Sequence, residues 1–196
     1  MLDPKVFKAY DVRGLYPAEL DEAGAEAIGR AYVEQFEPRR IAVGRDMRLS
    51  SLSMQEAFMR GAAAAGADVL DLGLVGTEMV YFAVGSLGLE GGAMVTASHN
   101  PKEYTGLKLV RRGALPVGGE SGLLDVRDRA LVNDEPTVTP GRIEEHDIWP
   151  AFVDAQAFEI AAQQLAMVEL DGEITDRQAF EHGVDDGRDL GIETRG

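Results

Sequence analysis

The sequence predicts an α/β fold built on a mostly parallel sheet. Short apolar runs typical of buried strands alternate along the chain with longer segments whose apolar residues recur at helical spacing. These helical segments have about the length that a crossover between parallel strands requires. Because the chain has 196 residues, 45% of them hydrophobic, we expect one complete domain with a sizeable core and part of a second.

The predicted elements follow one another in a strand–helix order from the amino end. Alternating apolar and polar residues predict a strand over 6–10, and a turn ending in a glycine follows at 11–14. A glycine- and proline-rich loop is predicted over 112–122 and a linker over 133–141. A capping-box pattern predicts a short helix over 175–182. The other strands are predicted over 41–44, 69–72, 92–96 and 106–110, and the other helices over 21–36, 51–65, 78–84, 123–131 and 148–167.

Composition excludes several classes of function. The net charge of −15 repels nucleic acid and anionic lipid, so neither is an expected partner. No apolar run is long enough for a membrane span, and the amino terminus lacks the pattern of a secretory signal. The absence of cysteine removes disulfides, thiol catalysis and thiolate metal sites. The expected compartment is the cytoplasm, with residues 151–196 forming an acidic, partly helical segment of eleven acidic and three basic residues.

Three segments with chemically active side chains adjoin predicted strands: 10–14, 44–46 and 96–101. In an open α/β sheet, ligands bind beyond the carboxyl ends of the strands. If the three segments converge there, they bring together a serine hydroxyl, an imidazole, an amide and two guanidiniums, and the next strand adds an ammonium group. These groups belong to Ser98, His99, Asn100, Arg13, Arg45 and Lys108.

Such a set suits phosphoryl transfer, because the transferred group carries charge that positioned cations stabilise. Arg13 offers a planar donor fork that matches phosphate, and Lys108 offers a point charge that could also move a proton. Each residue also has a simpler interpretation. Ser98 and His99 suit a turn, Arg13 suits a surface ion pair with Asp11, and Lys108 suits a solvent-facing strand position.

Four segments resemble the first domain of the α-D-phosphohexomutases, the phosphoglucomutase/phosphomannomutase family. The serine segment Thr96-Ala97-Ser98-His99-Asn100-Pro101 is the most specific, and the resemblance extends over about residues 5 to 154. The resemblance implies a layered, mixed to mostly parallel sheet with helices on both faces. The other three segments are Phe7 to Gly14, Val43 to Arg48 and Tyr104 to Lys108.

The resemblance also implies roles for individual residues. Ser98 is expected to carry a phosphoryl group that it exchanges with hexose 1- or 6-phosphate through a hexose 1,6-bisphosphate, with Mg²⁺ bound partly through that phosphate. Lys108 is implied as general acid or base, and His99 and Arg13 are implied to line the phosphoserine. Tyr10 is implied to lie in the substrate cleft, and Asn100 is a candidate for substrate binding. Arg45 is a weaker candidate, with connection of the loops as its alternative role.

The resemblance stops short of the whole family pattern. The family's sugar-specificity and distal-phosphate segments are not found, so we expect a first domain over 1–147 and a truncated or divergent second over 148–196. The acidic cluster of Asp185, Asp186 and Asp189 has the composition of a metal loop in a different order, and a hydrated turn is the alternative. Two functions stay open: an incomplete phosphohexomutase, or a non-catalytic α/β fragment or degenerate copy with a structural or partner-completing role.

Overall fold

The fold is that of a computed structural model, which describes residues 2–132 and 137–159. A division after Pro150 separates a first unit from a second, whose described part, residues 151–159, is helical. Of the helices in these described ranges, none is long and apolar enough to cross a membrane. The predicted boundary at 147/148 stays a prediction, and the predicted short helix at 175–182 lies outside the described residues.

The described residues of the first unit contain four complete α-helices and seven strands. Two short 3₁₀ turns, Pro4–Val6 and Gly119–Ser121, accompany them. The strands are β1 Val12–Leu15, β2 Arg40–Arg45, β3 Asp68–Leu74, β4 Gly91–Val95, β5 Tyr104–Arg111, β6 Leu115–Pro116 and β7 Ile143–Glu145. The helices are α1 Glu22–Phe36, α2 Ser51–Ala64, α3 Thr77–Ser86 and α4 Leu123–Ala130.

The strands form one mixed sheet in the order β1-β5-β4-β2-β3-β7, with β6 paired to β5. β4, β2, β3 and β7 run parallel, whereas β5 runs antiparallel to both β4 and β1. The carboxyl ends of β1, β2, β3 and β4 therefore share one edge of the sheet with the amino end of β5. The loop that carries Ser98 leaves this edge between β4 and β5.

Helices cover both faces of the sheet, as predicted. Alternate residues of the central strands, such as Ile41 and Val43, join the apolar core formed with α1, α2 and α4. On the other face α3 approaches the strands closely, because a Cβ at Gly92 would lie 3.2 Å from Val80 Cγ1 and 3.1 Å from Val84 Cγ2. The α/β prediction, with its mostly parallel sheet, is confirmed.

The crossing of α1 over α2 depends on two glycines. A Cβ at Gly29 would overlap the carbonyl oxygen of Phe58, and a Cβ at Gly61 would overlap that of Glu26. The backbones of the two helices therefore touch where neither residue has a side chain. The amino end of α2 lies beside the carboxyl edge of the sheet because α2 begins at Ser51, shortly after β2 ends at Arg45.

The prediction for the first fifteen residues is wrong. Residues 6–10 do not form a strand: Asp3 Oδ1 accepts a hydrogen bond from Lys5 N, and with Pro4 it favours a 3₁₀ turn instead. Phe7 makes only an isolated bridge to Val12. The predicted turn at 11–14 is instead strand β1, because pairing with β5 outweighs the local turn signal.

The remaining helix and strand predictions within the described residues are confirmed, with ends that move by at most two residues. The predicted helix over 148–167 is confirmed over 149–159, and its remainder lies outside the described residues. The predicted loop at 112–122 contains the two-residue β6 and a 3₁₀ turn. The short edge strand β7 is not predicted, because its residues Ile143–Glu145 are all exposed and show no alternation.

Candidate functional site

The loop after β4 holds Ser98 in an unusual backbone conformation. Its φ of 54° lies in the left-handed region, which residues other than glycine rarely adopt. The Ser98 amide donates to Thr96 Oγ1 at 2.9 Å, and the Asn100 amide donates to Ala97 O at 3.1 Å. Strain of this kind persists where the surroundings determine the conformation, and it is concentrated at functional sites.

The Ser98 side chain is presented to solvent. Ser98 and His99 are both exposed, and within the described residues neither Ser98 Oγ nor the His99 imidazole has a hydrogen-bond partner. His99 therefore does not act on Ser98 through a direct contact in this state. The hydroxyl is free to receive a ligand.

A cavity of about 890 Å³ opens beside Ser98. The β2–α2 loop forms one wall, on which the side chains of Met47 and Leu49 are almost fully exposed. Lys102 and Glu103 add one charge of each sign; they belong to residues 96–103 between β4 and β5, the serine loop. The lining residues are Tyr16, Asp46, Met47, Arg48, Leu49, Ser50, Thr96, Ser98, Asn100, Lys102 and Glu103.

Arg13 joins β1 to the serine loop. Its Nη1 donates to Asn100 Oδ1 at 3.0 Å, and its Nη2 forms an ion pair with Asp11. Its Nε is buried and has no partner in the described structure. Arg13 is half-buried, so it keeps donor capacity close to the loop.

Lys108 lies on the same face of the sheet as Arg13. Arg13 is paired with Gly106, and Lys108 is two residues further along β5, so the two side chains are diagonal neighbours on that face. Gly106 places no side chain between them. Lys108 is half-buried and makes no hydrogen bond or ion pair within the described part of the chain, although it does not line the cavity beside Ser98.

Arg48 contacts the serine loop most extensively. Its guanidinium donates to the backbone carbonyls of Ser98, Asn100, Pro101 and Tyr104. Asp46, at the end of β2, accepts from Arg48 Nε at 3.2 Å. The 44–46 and 96–101 segments are therefore brought together, chiefly through Arg48 and Asp46.

Two predicted binding residues lie away from the Ser98 cavity. Tyr10 precedes the amino end of β1, is 82% exposed and lines a separate cavity with residues 116–121. Arg45 lines a third cavity with Asp71 and His146, on the β3 side of β2. The structure therefore brings together Ser98, Asn100 and Arg13, with Lys108 beside Arg13 on the same face of the sheet.

A hydrogen-bonded cluster supports the far wall of the cavity. Tyr16 Oη donates to Glu22 Oε1 at 2.7 Å, and Ser53 Oγ donates to the same oxygen at 2.6 Å. These two hydrogen bonds lower the pKa of Glu22, and the bond to this carboxylate raises the pKa of Tyr16. The cluster links the β1–α1 loop to the first turn of α2.

The described residues do not by themselves form a Mg²⁺ site. They contain no group of three acidic or histidine side chains placed to hold a metal ion. Two carboxylates whose arginine partners contact the serine loop are already engaged, since Asp11 pairs with Arg13 and Asp46 with Arg48. Asp185, Asp186 and Asp189 lie outside the described residues.

The sequence left the roles of Arg48 and Tyr16 unassigned. Arg48 stands two residues after Asp46, just beyond the carboxyl end of a buried strand, and that position was the available signal. Its partners are backbone carbonyls, which carry no mark in the sequence. Tyr16 follows a strand that was predicted to be a turn, so nothing pointed to it.

Known proteins resemble this chain in both sequence and fold. The family model for phosphoglucomutase/phosphomannomutase, alpha/beta/alpha domain I, matches residues 4–123. A phosphomannomutase of Klebsiella pneumoniae is 53% identical over 136 residues, which cover 69% of this chain and 87% of that protein. A phosphomannomutase of Escherichia coli is 49% identical over 151 residues, covering 76% of this chain and 33% of that protein.

A solved structure extends the comparison to three dimensions. A phosphoglucomutase/phosphomannomutase family protein from Burkholderia thailandensis superposes with a TM-score of 0.72 at 34% identity, covering 79% of this chain and 35% of that one. The chain spans about a third of the length of the Escherichia coli relative and of this structure. The matched segment includes β1, the Arg48 loop and the Ser98 loop, and the chain belongs to the phosphoglucomutase/phosphomannomutase family through its α/β/α domain I.

Proposed function

We propose that this chain carries the phosphoryl-transfer serine of a phosphohexomutase, with Ser98 exchanging a phosphoryl group with hexose 1- and 6-phosphates. The observation that carries the proposal is the state of Ser98, which is exposed, at a φ of 54°, and without a hydrogen-bond partner for its hydroxyl in the described chain. A loop held in this way, on the family's first domain, suits a residue that is repeatedly modified and regenerated.

The proposed step conserves atoms and charge. Ser98 Oγ attacks the phosphorus of a hexose 1,6-bisphosphate, so that an Oγ–P bond forms while the P–O bond to the sugar breaks. The serine proton passes to a base, and the departing sugar oxygen gains a proton. In the reverse step, phosphorylated Ser98 transfers its phosphoryl group to the free 1- or 6-hydroxyl of a hexose monophosphate, which restores the free serine.

The positions of Arg13 and Lys108 on the sheet support the roles proposed for their side chains. Arg13 is suited to bind phosphoryl oxygens because its guanidinium lies beside Asn100 and retains free donors. Lys108 is suited to move the proton, since it is half-buried on the same face and unpaired among the described residues. His99 is proposed to bind the phosphate rather than to deprotonate Ser98.

Tyr10 and Arg45 have weaker support. The cavity that Tyr10 lines offers a place for a sugar contact away from Ser98. Arg45 is proposed to connect loops rather than to touch the phosphate. Mg²⁺ and a cytoplasmic location are proposed from the resemblance alone. The transfer step described above does not depend on either.

The second candidate function is a domain that completes its site only with a partner chain. It is favoured by the open setting of Ser98, which has protein on the sheet side and solvent on the other. A substrate held by a single wall is poorly oriented for two successive transfers. A mutase-coupled assay separates the two: conversion of glucose 1-phosphate by the chain alone, lost in Ser98→Ala, contradicts this second candidate.

The test of the proposal is phosphorylation of the purified chain by glucose 1,6-bisphosphate. Intact mass and peptide mapping are expected to find one added phosphoryl group, on Ser98. Ser98→Ala should take up none, whereas the control Ser86→Ala, at the exposed end of α3, should behave as the parent chain does. An unmodified parent chain, or modification at another residue, contradicts the proposal.

A further inference from the structure

Arg48 binds the serine loop through its backbone. Nη2 donates to Ser98 O at 2.9 Å and to Asn100 O at 2.7 Å. Nη1 donates to Pro101 O at 2.8 Å and to Tyr104 O at 3.3 Å. One guanidinium therefore fixes four carbonyls between Ser98 and the start of β5.

Arg48 has no donor left for a ligand. A guanidinium carries five N–H groups, and the fifth, on Nε, is donated to Asp46 Oδ2 at 3.2 Å. Arg13 differs, because within the described residues its Nε has no partner and each of its other two nitrogens donates a single hydrogen bond to the protein. The two arginines near Ser98 are thus equipped for different tasks.

Arg48 is itself held in place from two elements. Asp46 Oδ1 accepts from Arg48 N at 3.1 Å and from Ser51 Oγ, at the start of α2, at 2.5 Å. Asp46 N donates to Val95 O at 3.0 Å, which ties the end of β2 to the end of β4. The guanidinium therefore connects the rigid edge of the sheet to the loop.

The loop depends on this connection because it has little backbone bonding of its own. Among the described residues its internal backbone hydrogen bonds are Asn100 N to Ala97 O and Tyr104 N to Pro101 O. Because the four carbonyls all point toward one planar guanidinium, Arg48 fixes the peptide planes around Ser98. These include the peptide bond after Ser98, the residue with the left-handed φ. A lysine ammonium has three donors at a single point and cannot reproduce the fork.

We propose that Arg48 is a positioning residue that holds Ser98 in its transfer-competent orientation without touching the phosphoryl group. The proposal rests on the function proposed for Ser98. Removing the fork keeps the charge of Arg13 and the hydroxyl of Ser98 in the molecule but lets the loop that carries Ser98 change shape. A misplacement of about 1 Å at a reacting group lowers a rate by about 100-fold.

The test compares Arg48→Lys and Arg48→Met with the parent chain in phosphorylation by glucose 1,6-bisphosphate. The rate is followed by intact mass over a range of donor concentrations. Both variants are expected to lose about 10- to 100-fold in the maximal rate with an unchanged half-saturating concentration. The matched control is Arg60→Lys, on the exposed side of α2 in an ion pair with Glu26, and it should match the parent chain.

A second readout is independent of phosphorylation. Amide hydrogen exchange at Asn100 and Tyr104, whose N–H groups bond within the loop, should become faster in Arg48→Lys and stay unchanged in Arg60→Lys. If Arg48→Lys does not fold, Asp46→Asn tests the same connection, because it weakens the support of the guanidinium while keeping the arginine. It should give the same changes, smaller in size.

The outcomes separate the two proposals. A parent chain that takes up no phosphate contradicts the function of Ser98, while hydrogen exchange still decides whether Arg48 orders the loop. A phosphorylated parent chain whose Arg48→Lys variant transfers at the parental maximal rate overturns the positioning role. A rise in half-saturating concentration that lysine reverses would show instead that Arg48 acts through its charge on the donor.

Discussion

The left-handed conformation of Ser98 makes a quantitative prediction about stability. At an ordinary helical position, glycine is less stable than alanine by about 1 kcal/mol. At φ 54° the order should reverse, because a Cβ in the left-handed region costs roughly 1–2 kcal/mol. The higher entropy of glycine in the unfolded chain returns roughly 0.5–1 kcal/mol of that difference.

The comparison that isolates this effect is Ser98→Gly against Ser98→Ala. Neither variant keeps the hydroxyl, and the parent hydroxyl has no hydrogen bond in the described structure, so only the backbone preference differs between them. Ser98→Gly should be the more stable by about 0.5–1 kcal/mol. In a domain of this size, such a difference corresponds to roughly 1–4 °C in Tm.

Urea unfolding monitored by circular dichroism measures the difference directly. The matched pair is Ser86→Gly and Ser86→Ala in the last turn of α3, where the glycine variant should be the less stable. Opposite signs at positions 98 and 86 support a strained serine loop. If Ser98→Gly is less stable than Ser98→Ala at equal m-values, the left-handed conformation does not strain the loop.

Three further predictions concern packing, pH and the Arg13 contact. Gly61→Ala should cost about 1–3 kcal/mol in urea unfolding because its Cβ meets the Glu26 carbonyl, whereas Gly85→Ala, with open space around it, should be neutral or stabilising. Hydrogen bonds lower the pKa of Glu22, so they stabilise the fold above pH 4.5, and that contribution is lost as pH falls through the lowered value. The urea midpoint of unfolding should therefore fall more between pH 7 and pH 3 for the parent chain than for Glu22→Gln. Equal falls would contradict this. Asn100→Ala should slow Ser98 phosphorylation about 10-fold by releasing Arg13, as followed by intact mass, and a parental rate would show that the contact is dispensable.

Hydrophobic spacing was sufficient to predict most of the fold. The helices α1 and α2 and the strands β2 to β5 repeat apolar residues at the periods that burial on one or two faces imposes. β1 and β7 were missed because each exists through pairing with a distant strand. Val12–Leu15 contains a turn-like Arg13-Gly14, and Ile143–Glu145 is exposed, so neither has a local pattern that identifies it.

The sequence predicted which segments meet at the candidate site better than it predicted the contacts that connect them. The rule that ligands gather at strand ends located Ser98 and Asn100 and brought Arg13 beside them. The same rule also grouped Tyr10 and Arg45 with this site, although each of them lines another cavity. It did not identify Arg48, since contacts with carbonyl groups depend on the path of the backbone rather than on residue type.

The most direct test of phosphoryl transfer at Ser98 is the fate of its phosphate. The chain is phosphorylated with labelled glucose 1,6-bisphosphate, freed of donor, and mixed with glucose 1-phosphate, mannose 1-phosphate or buffer. If Ser98 transfers its phosphoryl group to sugar, a hexose phosphate should speed the loss of label from Ser98, and the label should appear in a hexose bisphosphate. Loss of label to inorganic phosphate alone, at one rate with or without sugar, would contradict this transfer.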